Sequence, residues 1–170
     1  MPNRVLIAGH SQLKYFDQYL KLSNVDVVTL SGYRIEQMWG VIGHKVTNYS
    51  AIVLHIWANN LWNDTPSEVL NHYQQLVQNV LQVNSRCQVL LSGLLPRTHD
   101  LYPGKMKSED FLYLVNRKAA FINNKLSNLI PDCPILDILH LLLVVSYNAN
   151  YWAKTDFILA DQVLPLWWEI

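Results

Sequence analysis

Four basic residues follow closely behind four short apolar segments that are typical of buried strands. They are Lys14, Arg34, Arg97 and Lys154. The carboxyl ends of parallel strands meet at one edge of a sheet, so these cations are expected to border one crevice. Cationic side chains in such a place can neutralise phosphates. We predict a basic surface made of Lys14, Arg34, Arg97, Lys105, Lys107, Arg117, Lys118 and Lys154.

Aromatic residues near these cations suggest what the basic surface could bind. Tyr102, Tyr147, Tyr151 and Trp152 are the candidate rings. Cations for phosphates and rings for base stacking are what a single-stranded nucleic acid requires of a protein. The alternative is that the rings belong to the core and the charges to an ordinary solvated surface. A single-stranded nucleic acid is therefore a predicted partner, and this alternative stays open.

Composition indicates one folded domain over residues 1–170. Hydrophobic residues make up 51% of the 170 positions and charged residues 15%, which excludes a disordered chain. The formal net charge is zero, but residues 1–125 carry +4 and residues 126–170 carry −4. A local basic face is thus compatible with a neutral chain.

The sequence also disfavours several classes of protein and of functional site. No apolar run reaches the roughly 18 residues that a membrane span needs, and the start of the chain lacks the features of a signal peptide. Neither a metal-site cluster nor a phosphate-binding glycine loop is evident, and the two cysteines are expected to be buried. We therefore expect a cytoplasmic domain without membrane, metal or cofactor.

Alternating strands and helices must position the candidate residues. Thr65-Pro66-Ser67-Glu68 is a capping box that predicts a helix start, and Ser108 is a second predicted cap for a helix that runs to about Leu129. Helices are also predicted over Ser11–Lys21 and residues 34–48. The predicted strands are Val5–Ala8, Val25–Leu30, Ala51–Ile56, Cys87–Leu95 and Ile135–Leu139. This alternation predicts a three-layer α/β/α fold around a five-stranded parallel sheet in the order 2-1-3-4-5.

Three polar motifs follow the first three predicted strands. They are Gly9-His10-Ser11, Ser31-Gly32 and Trp57-Ala58-Asn59-Asn60. Each alone is compatible with an ordinary turn. Together and in this order they resemble the SGNH (GDSL) hydrolase family. In that family a serine follows strand one in a Gly-Asp-Ser motif, a glycine follows strand two, and an asparagine follows strand three in a Gly-x-Asn-Asp motif.

The resemblance implies roles for individual residues. Ser11 corresponds to the nucleophile, and the amides of Ser11 and Gly32 with the side chain of Asn59 correspond to the oxyanion hole. The family's base is a histidine in an Asp-x-x-His motif before the last helix. Those two positions fall on Thr155 and Ile158, and an isoleucine cannot accept a proton.

Further departures from the family pattern affect the same site. Trp57 replaces the first glycine of the third motif, so an indole is expected to crowd the place of an acyl oxyanion. His10 replaces the aspartate beside the serine and is expected to diverge from Ser11, so it does not serve as a substitute base. His99, in the loop after strand four, is the least implausible replacement.

The lost base and the basic surface together favour a non-catalytic function. A branch of this fold without its triad is the OSK domain of Oskar proteins, which binds RNA in germ-plasm assembly and messenger RNA localisation. The chain resembles such a domain, which implies a pseudo-hydrolase, not an enzyme, that binds messenger RNA and resides in the cytoplasm or in ribonucleoprotein granules. Two alternatives stay open: an acyl esterase with Ser11 as nucleophile and a non-standard base, and a protein-binding scaffold.

Overall fold

A parallel sheet organises the chain. The computed structural model describes residues 4–14, 23–94, 109–126, 129 and 135–136. Four strands of five residues each lie in the order β2-β1-β3-β4, and a two-residue segment, β5, pairs in parallel with β4. The strands are β1 (Val5–Gly9), β2 (Val25–Thr29), β3 (Ala51–His55), β4 (Gln88–Ser92) and β5 (Ile135–Leu136).

The position and order of the first four predicted strands are confirmed. Of the fifth predicted strand, Ile135–Leu139, only the pairing of Ile135 and Leu136 with β4 is described, and the other three residues lie outside the described part. Strands one and three are apolar on both faces, which is the pattern of a parallel sheet covered on both sides. Gly9 is in register with Thr29 and with His55, so β1, β2 and β3 end at the same level.

Three α-helices in the described ranges pack against one face of the sheet. They are α1 (Ile35–Ile42), α2 (Pro66–Val83) and α3 (Glu109–Leu126). Leu6 and Ile52 from the sheet lie in the same buried cluster as Met38, Tyr73 and Ile122, one from each helix. On the opposite face, Leu13 packs with Ile7 and Val53. No helix in the described ranges is both long and apolar enough to cross a membrane.

Two predicted helices differ from the observed elements. The helix predicted over residues 34–48 is α-helical to Ile42 and then a 3-10 helix, Gly43–Asn48. The Trp39 ring packs closely on the backbone of Gly43, since a Cβ added at Gly43 would lie only 3.1 Å from the Cε2 atom of Trp39. Of the helix predicted over Ser11–Lys21, residues 11–13 form a 3-10 helix, and residues 15–21 lie outside the described part.

The capping box predicted at Thr65 is confirmed. The Glu68 amide donates to Thr65 Oγ1 over 3.3 Å, and the Thr65 amide donates to Glu68 Oε2 over 2.7 Å. These reciprocal bonds satisfy amides that have no partner inside the helix. They start α2 one residue later, at Pro66. Cys87 is buried, as predicted.

Candidate active site

Ser11 lies at the carboxyl end of β1. It is exposed and is the first residue of the 3-10 helix Ser11–Leu13. A Cβ at Gly9 would stand 2.1 Å from the His55 carbonyl oxygen, so only glycine allows β1 and β3 to approach this closely. The next amide, that of His10, donates to the same oxygen over 3.0 Å. The backbone leading to Ser11 is therefore fixed by the neighbouring strand.

Gly32 lies in the turn after β2 and has a left-handed backbone. Its φ is +80°, a conformation that residues with a side chain rarely adopt. A Cβ at this position would have no heavy atom within 4 Å, so the conformation and not the available space requires glycine. The Leu30 amide donates to the Gly9 carbonyl over 2.7 Å, which keeps this turn beside the start of the Ser11 loop.

Asn59 brings the third motif to the second. It belongs to the 3-10 helix Trp57–Trp62 after β3, and its Nδ2 donates to the Tyr33 carbonyl over 2.7 Å. One N–H of that amide is thus used, and the described residues offer no acceptor bonded to the other. Among the described residues, the backbone amides of Ser11 and Gly32 have no hydrogen-bond acceptor. The three groups that the resemblance implies for an oxyanion hole therefore follow adjacent strands at one edge of the sheet.

Trp57 does not point where the sequence analysis expects. Its side chain is fully buried in the main core cluster, and its Nε1 donates to the Ser92 carbonyl over 3.2 Å. Ser92 ends β4, which lies on the other side of β3 from β1 and β2. The expectation that the indole crowds the site is therefore corrected. The indole nitrogen bonds to the end of β4, away from the strands that precede Ser11 and Gly32.

A buried polar layer lies next to this edge. His10, His55 and Ser92 are each at most 2% exposed, and His55 Nδ1 is 3.0 Å from Ser92 Oγ. The two imidazole rings are 4.6 Å apart between centroids. Burial lowers the pKa of His55 to about 4, so its ring is neutral at neutral pH. The His10 ring faces His55, which agrees with the expectation that it diverges from the exposed Ser11.

Asn60 and Asp64 form a buried network that the sequence analysis missed. The Asn60 amide bonds to both Asp64 and Glu36, and Asp64 also pairs with Arg34. Ligand atoms of Glu36, Asp64 and His72 lie within 4.8 Å of one another, but both carboxylates already accept from Arg34 or Asn60. The doubled asparagine after β3 was the one available signal, and nothing in the sequence links it to Arg34.

The predicted basic surface is only partly described. Arg34 pairs with Glu36 and Asp64, and Lys118 Nζ donates to the Leu61 and Asp64 carbonyls over 3.3 and 3.2 Å. Both cations are therefore engaged within the fold. Lys14 is exposed beside Ser11. Several predicted residues lie outside the described part, namely Arg97, His99, Tyr102, Lys105, Lys107, Tyr147, Tyr151, Trp152, Lys154, Thr155 and Ile158.

Helix α3 exposes two aromatic rings that the sequence analysis did not single out. Tyr113 is 61% and Phe121 is 51% exposed. The Arg117 guanidinium lies 5.7 Å from the Tyr113 ring centroid, and the Lys125 ammonium lies 5.8 Å from that of Phe121. Beside them, an apolar groove of about 370 Å³ runs between α3 and the 3-10 helix that carries Asn59. Its lining includes Leu61, Trp62, Phe111, Leu114 and Phe121.

Comparison with known proteins supports the SGNH-like fold. No model of a protein family matches the sequence, and no curated protein matches it. Among solved structures, a GDSL-like lipase from Bacteroides thetaiotaomicron is 16% identical, with 80% of this chain and 68% of that chain covered and a TM-score of 0.60. The C-terminal catalytic domain of peptidoglycan O-acetyltransferase A from Streptococcus pneumoniae is 15% identical, covering 92% and 79%, with a TM-score of 0.55. An acetyl xylan esterase is 16% identical, covering 85% and 81%, with a TM-score of 0.52.

These likenesses support the three-layer α/β fold with a parallel sheet and correct the expectation of a non-enzyme. The solved structures that share the fold are a lipase, an esterase and an acetyltransferase catalytic domain. The expectation rested on Thr155 and Ile158, which lie outside the described residues. Ser11 and the candidate oxyanion donors lie within the described residues. The more specific resemblance to the OSK domain remains a sequence-based prediction.

Proposed function

We propose that the chain is an acyl-ester hydrolase in which Ser11 is the nucleophile. The observation that carries the proposal is the meeting of three loops at one sheet edge. They bring an exposed serine hydroxyl, two backbone amides without acceptors among the described residues, and the Asn59 amide. Donors held by backbone geometry are suited to a charge that develops only in the transition state.

The chemistry of each group follows from its type. Ser11 Oγ attacks the carbonyl carbon of the ester while its proton passes to a base. The carbonyl oxygen becomes an oxyanion that accepts from the amides of Ser11 and Gly32 and from Asn59 Nδ2. Collapse of this intermediate expels the alcohol, which takes up the proton, and leaves an acyl-serine. Water then attacks the acyl-serine in the same way and releases the carboxylic acid.

The base in this proposal is His99. Among the described histidines, His10 and His55 are buried against each other, and His44 and His72 lie on elements that do not carry Ser11. The family's base position holds Ile158, which has no titratable group. His99 follows β4, whose carboxyl end lies at the same edge of the sheet as Ser11. Among the histidines outside the described residues, we assign the base to His99 because it follows β4 in the sequence.

Ester hydrolysis and covalent labelling test the proposal. The wild type is expected to hydrolyse a short-chain p-nitrophenyl ester and to be labelled at Ser11 by a fluorophosphonate. Ser11→Ala is expected to lower kcat at least about 100-fold, because no acyl-enzyme can form. His99→Ala is expected to lower kcat as well, because Ser11 then lacks the base that accepts its proton.

Ser31→Ala is the matched control. Ser31 is also exposed and follows β2 in the turn beside Gly32, so its loss is expected to leave turnover unchanged. If the wild type shows neither hydrolysis nor labelling, Ser11 is not a nucleophile. Equal turnover in the wild type and Ser11→Ala would lead to the same conclusion.

RNA binding is a second candidate function, favoured by the exposed face of α3. Tyr113 and Phe121 each stand beside a cation there, Arg117 and Lys125. Exposed rings next to cations match the stacking and phosphate contacts that single-stranded RNA makes. This function does not depend on Ser11, so an RNA-binding hydrolase is compatible with both proposals. The third reading, a protein-binding scaffold, would use the apolar groove beside the same helix.

A further inference from the structure

The Asn60 side chain connects the 3-10 helix Trp57–Trp62 to the start of α1. It is fully buried, and each of its polar atoms has a partner. Its Oδ1 accepts from the Ile35 amide over 3.0 Å. Its Nδ2 donates to Glu36 Oε2 over 3.0 Å and to Asp64 Oδ2 over 2.7 Å. A buried amide with all its bonds made holds its neighbours in one arrangement.

The bond from the Ile35 amide to Asn60 caps the first amide of α1. The first amides of a helix have no partner within the helix. The residue before α1 is Arg34, whose side chain offers no acceptor. Asn60 therefore supplies a cap from another part of the chain, 25 residues away. This fixes the start of α1 against the 3-10 helix Trp57–Trp62.

Asp64 and Arg34 strengthen the same connection. Arg34 Nη2 is 2.5 Å from Asp64 Oδ1, and Arg34 Nε is 2.9 Å from Glu36 Oε1. Burial by itself would raise the pKa of Asp64, but the hydrogen bonds from Asn60 and Arg34 outweigh it and hold that pKa below its usual value. Asp64 therefore stays ionised at neutral pH and keeps Arg34 in place.

Two of the three candidate oxyanion donors adjoin this network. Gly32 is two residues before Arg34, and Asn59 is directly before Asn60. The two loops also meet through the bond from Asn59 Nδ2 to the Tyr33 carbonyl. We infer that Asn60 is a positioning residue, which sets the spacing of Gly32 and Asn59 through its bonds to Ile35, Glu36 and Asp64. This inference rests on the proposed function of the site.

The network requires an amide and not a carboxylate at position 60. The groups that face the side chain are the carboxylates of Glu36 and Asp64, with Arg34 and the more distant His72 behind them. Asn60→Asp keeps the size but replaces a donor to two carboxylates with a third negative charge. Like charges at this distance repel, so the two loops are expected to separate. Protonation of the new carboxyl at acidic pH would restore one donated bond.

The experiment compares Asn60→Asp with Asn63→Asp. Asn63 undergoes the same chemical change three residues later but is exposed. For a short-chain p-nitrophenyl ester, Asn60→Asp is expected to lower kcat about tenfold near pH 8, with KM within about twofold of the wild type. Displaced donors stabilise the oxyanion less well, but the loss in kcat is smaller than when a donor is deleted. The activity of Asn60→Asp relative to wild type is expected to recover as the pH falls. Asn63→Asp is expected to match the wild type.

A second readout does not need activity. Amide NMR signals of Gly32 and of the Asn59 side chain are expected to shift in Asn60→Asp near pH 8, and to return toward wild-type positions at acidic pH. They are expected to stay in place in Asn63→Asp. If the wild type does not hydrolyse esters, the proposed function fails while these signals still decide whether Asn60 sets the two loops.

A further variant covers failure of Asn60→Asp to fold. Asp64→Asn keeps the size and removes the charge that pairs with Arg34, so it is expected to shift the same two signals and to lower kcat less. Unchanged signals and unchanged kcat in the folded variants would overturn the inference. A rise in KM with an unchanged kcat would also overturn it, because that outcome indicates substrate binding and not oxyanion geometry.

Discussion

The buried imidazole of His55 should make the stability of the fold depend on pH. Burial lowers its pKa from 6.5 to about 4 in the folded chain, because desolvation penalises the charged form. In the unfolded chain the pKa returns to about 6.5, so the unfolded state binds the proton more readily. The contribution of His55 to the free energy of unfolding is therefore fully present above about pH 6.5 and is lost as the pH falls toward about 4.

The magnitude follows from the two pKa values. For a single group with these values, proton linkage lowers the free energy of unfolding by about 2 kcal/mol between pH 7 and pH 5. Of the described groups in contact with the ring, the His10 imidazole and the Ser92 hydroxyl carry no negative charge that would stabilise an imidazolium. A loss of about 2 kcal/mol is a large part of the total stability of about 5–15 kcal/mol that is usual for a domain.

Urea unfolding at pH 7 and at pH 5 measures the effect. Asn at position 55 can still bond to Ser92 but does not titrate, so His55→Asn is expected to lower stability at pH 7 and to abolish most of the further loss at pH 5. His44→Asn, the same change at an exposed histidine, is expected to keep the full loss. A wild-type loss below about 0.5 kcal/mol, or equal losses in the wild type and His55→Asn, would refute the reasoning.

Two further predictions concern Gly32 and α3. Gly32→Ala is expected to fold but to lose about 1–2 kcal/mol in urea unfolding, with a lower kcat, because alanine is strained at a φ of +80°. Equal stability would show that the turn relaxes at no cost. Arg117→Glu with Lys125→Glu is expected to weaken RNA crosslinking and to reduce the slope of log affinity against log salt by about 0.7 per lost contact, whereas exposed Arg86→Glu should not. Equal losses in both variants would indicate diffuse attraction.

Local chemistry explains which parts of the fold could be predicted. The Thr65 and Glu68 pair forms its bonds within four residues, so the start of α2 depends on no distant contact. The strands likewise follow from runs of apolar residues, and their edge holds Ser11 because parallel strands end together. The end of α1 was less predictable, since the fit of Gly43 against Trp39 depends on how that ring packs.

The doubled asparagine shows where prediction from sequence ends. Asn59 and Asn60 are chemically identical neighbours, yet Asn59 donates to a loop carbonyl and Asn60 is fully buried between two carboxylates. Asn60 is the buried one because its side chain bonds to the Ile35 amide and to Asp64. Ile35 is 25 residues away in the sequence, so tertiary packing brings it to Asn60. The orientation of the Trp57 side chain likewise depends on a distant group, because its indole nitrogen donates to the Ser92 carbonyl at the end of β4.

The contacts that hold the candidate oxyanion donors lie within the described residues. Ser11, Gly32 and Asn59 are held by the β1–β2 and β1–β3 registers, by the left-handed turn and by the Tyr33 contact. None of these involves Thr155 or Ile158. In serine hydrolases the oxyanion hole and substrate binding alone retain roughly 10³–10⁴-fold acceleration over water when the triad is disabled. Under the proposed function, Ile158 in place of a histidine would therefore change the rate and pH dependence of the site, while the described contacts that hold Ser11, Gly32 and Asn59 would remain.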